Sequence, residues 1–211
     1  MIHWPINTQT DFIDFELLRL VEDKTIILPK NSGLLEFKCQ VESLPNTKIL
    51  VRGEDVAFFV DKMISKGINC IGLTGQDLFK EYKLKNPLSS VQEIKNLGWK
   101  DKKSLFGKPV LCLLGPCGKE LKNLDTSSGK LKIAINSKYR AIADNFLGKL
   151  VQKGYSFEKY YLTGATEQAA SNGIADLIID IVSTGSSARE AGLRVYDRIM
   201  ESDAILVGVR E

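Results

Sequence analysis

With 211 residues, 44% of them apolar and 26% charged, the chain has the length and hydrophobic content for one large globular domain or two small ones. Its net charge of +3 is spread along the sequence with no dense basic arm, which excludes a nucleic-acid-binding footprint and leaves room for an anionic small-molecule substrate. A single histidine, His3, excludes a histidine-rich metal site and weighs against a Ser-His-Asp hydrolase.

The elements follow in chain order. IHWPI reads as a short strand closed by Pro5. TDFIDFELLRLVEDK has apolar residues at 12, 13, 15, 17, 18, 20 and 21, a helical period, with Thr10 or Asp11 as its cap. TKILVRG predicts a strand ending at Gly53, EDVAFFVDKMISKG an amphipathic helix stopped by Gly67, INCIGLTG a strand, and QDLFKEY the start of another helix. Residues 83–107, polar and lysine-rich, read as a loop or weak helical excursion. PVLCLLG is a strand and KELKNLDTSSGK a polar connection. Strand LKIAIN, helix KYRAIADNFLGKLVQKG, strand FEKYYLTG, helix ATEQAASNG and strand ADLIIDIV come next, then a short helix SSAREAG and a closing strand DAILVGVR.

Strands alternating with helices of this length imply βαβ units and a mainly parallel sheet. The polar stretches at 83–107 and 118–130 divide the chain into two lobes, residues 1–107 with 198–211 and residues 108–197. In open α/β sheets ligands bind where strand carboxyl ends meet helix N-termini. Those ends carry GLTGQD, YLTGATEQ and IVSTGSSARE, each combining Gly with Thr or Ser ahead of a helix.

Neither a signal peptide nor an apolar run of roughly 18 residues is present, so a cytoplasmic location without membrane association is expected. Cys39, Cys70, Cys112 and Cys117 then read as reduced thiols. Cys112 and Cys117 in CLLGPC, the one close pair, lack a second Cys or His pair to complete a metal site and read as buried thiols on a strand and its turn.

The stretch ADLIIDIVSTGSSAREAGL, residues 175–193, breaks from an apolar strand into STGSSA. After Val182 the chain turns through Thr184-Gly185, and Ser187 with Glu190 has the spacing of a capping box. Free N–H groups at a helix N-terminus beside hydroxyls form a phosphate site, and Gly185 lets the backbone approach the anion. Asp176 and Asp180 are placed to hold ribose hydroxyls or Mg²⁺. A plain strand-to-helix turn with a good cap satisfies the same residues.

This stretch resembles the phosphoribosyl-pyrophosphate loop of the ATP phosphoribosyltransferase family, the first enzyme of histidine biosynthesis, whose pattern is roughly a-D-x-I-V-D-x-v-x-T-G-x-T-L-x-x-N-G-L. VRGEDVAFFVDKMISKGINCIGLTGQDLFKEY, INSKYRAIADNFLGKLVQKG and LTGATEQAASNGIADLIIDIV resemble further blocks of the family in the same order, so that the likeness covers about half of the chain. The resemblance implies a two-lobed α/β fold of the periplasmic-binding-protein type (type II), with the ligand cleft between the lobes. The length is similar to the family's short form, which lacks a C-terminal regulatory domain.

On this resemblance, Asp176, Asp180, Ser183, Thr184, Gly185, Ser186 and Ser187 would hold phosphoribosyl pyrophosphate, with Asp180 and Glu167 the catalytic carboxylates and Asp180 a ligand of Mg²⁺. Arg52, Asp55, Thr74, Gly75, Asp77 and Lys138 would line the nucleotide side. From the residues alone, Arg52 reads as solvated or salt-bridged and Asp77 as a helix cap. The substrates implied are ATP and phosphoribosyl pyrophosphate. The partners implied are a second copy of the chain, as a homodimer or higher oligomer, and a regulatory subunit related to histidyl-tRNA synthetase.

The sequence also departs from the pattern. The family's opening P-K-G-R-L turn is replaced by HWPINTQTD, and T-G-R-T-L becomes T-G-S-S-A. ILPKNSGLL at 27–35 is more like the opening turn, but is set aside as too close to Arg52 for an intervening helix and strand. The lost basic residues motivate an alternative reading, a degenerate non-catalytic paralogue acting as a regulatory subunit or small-molecule-binding protein.

Overall fold

The computed structural model describes residues 19–30, 46–124 and 129–210. IHWPI, the start of the first helix, His3 and Cys39 lie outside the described residues. Among the described residues ten strands form two five-stranded sheets, one in each lobe.

The first sheet has the order β2-β1-β3-β10-β4, with β1 at Thr25–Pro29, β2 at Lys48–Val51, β3 at Cys70–Gly75, β4 at Gln92–Gly98 and β10 at Ala204–Gly208. The second has the order β7-β6-β8-β5-β9, with β5 at Val110–Pro116, β6 at Leu131–Asn136, β7 at Phe157–Leu162, β8 at Leu177–Val182 and β9 at Leu193–Glu201. Four of the five strands in each sheet share a direction; β10 and β5 are reversed, each pairing antiparallel with both neighbours.

Helices cover the sheets: α1 (Val56–Ile64), α2 (Gln76–Lys85), α3 (Arg140–Val151), α4 (Thr166–Ser171) and α5 (Ser186–Glu190). Because side chains alternate along a strand, successive residues enter opposite core layers. Ile27 packs with Val56 and Val60 on one face of the first sheet, while Ile26 and Leu28 join Ile71 and Leu206 on the other. In the second sheet Ile133 and Ile135 face Leu147, and Ala134 faces Ala169 and Ala188. The approach of α1 to β3 depends on Gly72, where a Cβ would lie 2.6 Å from Val56 Cγ1 and 2.7 Å from Val60 Cγ2.

Three expectations change. Residues 92–98, inside the stretch read as a loop, form β4. It is an edge strand, with Ile94 and Leu97 packed inward, and two register shifts against β10 break the alternation that marks a strand in sequence. Residues 193–201 form β9, an edge strand with two register shifts against β5, so the second sheet continues beyond residue 197 and the chain returns to the first lobe at Ser202 and Asp203.

The third change concerns ILPKNSGLL. Its opening residues belong to β1, which lies between β2 and β3. Residues 30–47 separate β1 from β2, and a parallel crossover needs about a dozen residues, so the spacing is sufficient. Residues 31–45 lie outside the described set.

Two passages join the lobes. Ser202 N–H donates to the Pro109 carbonyl at 3.0 Å, and Lys108 Nζ lies 2.7 Å from Asp203 Oδ1, which ties one crossing to the other. Of the thiols, Cys112 is buried in β5 and pushed up to about 12 by desolvation, whereas Cys117 is exposed in the following turn and not buried as expected. Among the described residues no helix is long and apolar enough to cross a membrane.

Candidate functional site

The carboxyl end of β8 and the N-termini of α4 and α5 converge on a pocket of about 170 Å³. Glu167, Asp180, Ser183, Thr184, Gly185, Ser186 and Ser187 line it above a floor of Leu114 and Ile178. The structure thus brings together every residue that the sequence placed around the loop except Asp176. That residue stands just before β8, at the strand's far end, about 13 Å from Asp180 at the rise of a strand. There its carboxylate accepts the Lys132 N–H at 2.8 Å and joins β6 to β8, so its place is structural.

Asp180 is nearly buried, at 9% exposure, yet well supplied with donors. Thr166 Oγ1 donates to Oδ2 at 2.5 Å, while Asn136 Nδ2 at 3.0 Å and the Ile181 N–H at 2.7 Å donate to Oδ1. Burial pushes its carboxyl above the usual carboxylate range and the charge of Glu167 adds to this, against the lowering effect of the three donors. Thr166 also lies 3.1 Å from Glu167 Oε2. It is held there by Ala165, the residue before α4, whose left-handed φ of 56° costs about 1 kcal/mol in a non-glycine residue. Backbone strain of this kind clusters at functional sites.

The loop itself is a turn into α5. Gly185 is its N-cap, with φ +73°, and a Cβ there would meet Leu105 Cδ2 at 3.3 Å. The expected Ser187–Glu190 capping box does not form; Thr184 Oγ1 instead accepts the Ser186 N–H at 3.3 Å and lies 3.2 Å from Ser186 Oγ. Ser187 therefore stays exposed at the pocket rim, beside the N–H groups of the first helical turn. From the crossing segment, Leu105 N–H donates to the Ser183 carbonyl at 2.7 Å, and Ser104 Oγ lies 3.1 Å from Ser183 Oγ.

The nucleotide-side residues stand at the ends of β2 and β3. Arg52 is exposed and lies 3.4 Å from Glu54. Asp55 precedes α1 and lines a second pocket of about 260 Å³ between the lobes, with Glu54, Glu81, Ser137 and Lys138. Lys138 reaches across to Glu54 at 3.4 Å. Thr74 is buried and donates to the Gly53 carbonyl at 3.2 Å. Gly75 caps α2, so Asp77 does not: it is buried, accepts the Ser202 hydroxyl at 2.5 Å, and sits beside Tyr139 of the second lobe. Burial, and then the Asp77 carboxylate, push the Tyr139 phenol well up.

Sequence reasoning missed Asn136, Thr166, Ser104 and Tyr139. Thr166 was legible in principle, as a hydroxyl next to Glu167 ahead of a helix; Ser104, far off in sequence, had no local signal. The carboxylate oxygens of Asp180 and Glu167 are hard ligands of the kind magnesium takes. Each of the two carboxylates accepts the Thr166 hydroxyl, and among the described residues no group of three or more His, Cys, Asp or Glu side chains gathers to hold a metal, so further ligands would have to come from a phosphate substrate.

A family model described as ATP phosphoribosyltransferase matches residues 52–211. An ATP phosphoribosyltransferase of Micrococcus luteus is 32% identical over 158 residues, 74% of this chain and 49% of that protein. One from Aquifex aeolicus is 29% identical over 199 residues, 92% of this chain and 82% of that protein. The chain spans about half the length of the first curated relatives it matches. Among solved structures, an ATP phosphoribosyl transferase (HisG:HisZ) complex from Thermotoga maritima aligns with TM-score 0.67 and 20% identity, over 88% of this chain and 86% of that one. The periplasmic aliphatic sulphonate binding protein SsuA from Escherichia coli aligns with TM-score 0.56 and 17% identity, over 89% and 65% of the two chains. These two likenesses establish the two-lobed periplasmic-binding-protein fold.

Proposed function

The chain belongs to the ATP phosphoribosyltransferase family, and on that footing we propose that it transfers the 5-phosphoribosyl group of phosphoribosyl pyrophosphate to N1 of ATP, releasing pyrophosphate, as the first step of histidine biosynthesis. The observation that carries this reading is the single pocket shared by the Ser183–Ser187 loop and the Asp180–Thr166–Glu167 group.

In the reaction adenine N1 forms a bond to the anomeric carbon as the bond from that carbon to the pyrophosphate oxygen breaks. No side chain is needed as nucleophile, which suits a chain with one histidine. The loop N–H groups and the hydroxyls of Thr184, Ser186 and Ser187 hold the 5′-phosphate, with the α5 dipole adding to the attraction. Glu167 and Asp180 accept the ribose hydroxyls and oppose the positive charge that develops on the sugar. Arg52, Asp55, Thr74, Gly75, Asp77 and Lys138 belong to the acceptor side, where Arg52 and Lys138 supply positive charge toward the nucleotide phosphates.

Glu167 and Asp180 would hold magnesium together with the substrate's phosphates, and the ion would supply compensation for the charge growing on the leaving pyrophosphate. At the carboxyl end of β1 the basic residue Lys30 follows Pro29, and its N–H donates to the Val51 carbonyl at 2.7 Å. This takes up part of the role of the opening basic turn. The Thermotoga maritima protein is described as a HisG:HisZ complex, and by that likeness this chain works as an oligomer with a separate regulatory subunit.

The test is to mix the purified protein with ATP, phosphoribosyl pyrophosphate and Mg²⁺, add pyrophosphatase to draw the equilibrium, and follow the ultraviolet change of N1-substituted adenine. Product is expected. Binding of phosphoribosyl pyrophosphate without turnover, in the presence of a cognate regulatory subunit, would select the non-catalytic reading instead.

A further inference from the structure

Outside the phosphoribosyl pocket, at the edge of the second pocket between the lobes, the molecule holds another buried carboxylate to which the transfer chemistry assigns no role. Glu81, on α2 of the first lobe, is 4% exposed. Its two oxygens accept backbone N–H groups of the second lobe, Oε1 from Ala141 at 2.8 Å and Oε2 from Ile142 at 2.9 Å. These amides belong to the first turn of α3, where intrahelical acceptors are lacking and the dipole favours negative charge. Helices are ordinarily capped by a residue just ahead of them in sequence; α3 is capped by a residue some sixty positions earlier, on the opposite lobe. Lys85 Nζ, one turn along α2, lies 2.8 Å from Oε1 and balances the remaining charge.

Apolar contact surrounds this polar junction. Leu78 and Leu84 of α2 pack with Tyr139 and Ile142 of the second lobe. The segment leading into α3 serves both half-sites: Asn136 donates to Asp180, Lys138 reaches Glu54, and Tyr139 lies beside Asp77. Whatever fixes the start of α3 therefore fixes this segment against both carboxylate groups.

We propose that Glu81 is a positioning residue, a latch that caps helix α3 from the opposite lobe and holds the two lobes as one body around the cleft. Periplasmic binding proteins of the same fold work by hinge closure around their ligand. Here a buried carboxylate holding two N–H groups across the lobes opposes such a swing, because opening would leave the Ala141 and Ile142 amides without their acceptor and the carboxylate with Lys85 alone. The catalytic consequence rests on the phosphoribosyl-transfer reading; the mechanical one does not.

Spin labels on Lys66→Cys in the first lobe and Lys153→Cys in the second, in a Cys39→Ser, Cys117→Ser background diluted with excess unlabelled protein so that distances between copies do not contribute, report the inter-lobe distance by double electron–electron resonance. The parent protein is expected to give one narrow distance that phosphoribosyl pyrophosphate leaves unchanged, and Glu81→Ala a broadened one. Glu81→Gln, which keeps one carbonyl acceptor, is expected to fall between them and carries the test if Glu81→Ala does not fold. A broad or ligand-shifted distance in the parent, or one that stays narrow in both variants, overturns the latch.

In turnover, Glu81→Gln is expected to lower kcat by about a hundredfold, the cost of an ångström-scale misplacement of two reactants, with phosphoribosyl pyrophosphate affinity held within about twofold because that half-site lies within the second lobe. Affinity falling in step with kcat would overturn the positioning role. A parent protein with a narrow distance and no turnover would sink the transfer reading and leave the latch standing.

Discussion

The Thr166 hydroxyl lies 2.5 Å from the Asp180 carboxylate and 3.1 Å from that of Glu167, so one proton faces two acceptors. The arrangement holds two like charges at the mouth of one pocket, and Thr166 is fully buried between them. Thr166→Val keeps the shape and removes the proton. A hydrogen bond to a charged group contributes about 1.5–3 kcal/mol, and a loss of that size in urea denaturation is expected. Thr166→Ser should recover most of both stability and turnover; failure of that rescue would show that packing, not the hydroxyl, matters.

Asp180 gives a pH signature. Burial, reinforced by Glu167, raises its folded pKa above the unfolded value of about 3.9. The native state therefore holds the extra proton between those two values. The stability this confers is fully present below the unfolded pKa and is lost as pH rises through the folded one. Asp180→Asn has no such loss, and its amide retains an acceptor for Asn136 while the Thr166 hydroxyl turns to accept. Relative to the parent protein, the variant should gain stability on going from pH 3.5 to 7.5 and lose transfer activity throughout. A gap between the two that is constant with pH, or moves the other way, would contradict this electrostatic account.

Gly185 is the loop position at which a side chain is least acceptable. Its φ of +73° costs an L-residue about 1–2 kcal/mol, and a Cβ would crowd Leu105 at 3.3 Å. Gly185→Ala should lower stability by that amount. Since it also moves the first helical N–H groups, affinity for phosphoribosyl pyrophosphate should weaken by about tenfold or more, some 1.4 kcal/mol, in a calorimetric titration. Equal affinity would mean that the anion is held elsewhere.

The legible part of this molecule is its buried part. AILVG, CIGLTG and LIIDIV bury nearly every residue, and continuous apolar runs ending in Gly or Ser/Thr turns mark strands and their carboxyl ends directly. QEIKNLG and LRVYDRIME are edge strands with register shifts, and their pattern is broken where the pairing partner slips. The site divides along the same line. Asp180, Glu167 and the Ser/Thr loop lie within short contiguous motifs, whereas the Glu81–Ala141, Ser104–Ser183 and Ser202–Asp77 contacts join residues far apart in sequence. Asp176 shows the opposite error: it precedes β8, four residues before Asp180, at the end of the strand away from the pocket, where it accepts the Lys132 N–H.

Ser104 connects the inter-lobe crossing to the loop. It lies 3.1 Å from Ser183 Oγ and donates to Asp101 Oδ2 at 2.9 Å, while its neighbour Leu105 donates its N–H to the Ser183 carbonyl. The crossing segment thereby presses on the first residue of the turn that becomes α5. Ser104→Ala removes both hydroxyl contacts and leaves the Leu105 bond. With about 1 kcal/mol for a neutral hydrogen bond, the expected result is a roughly fivefold weaker affinity for phosphoribosyl pyrophosphate with little change in the KM for ATP. An equal loss for both substrates would place the effect in the lobe junction, and no loss would assign the loop's position to the Leu105 N–H alone.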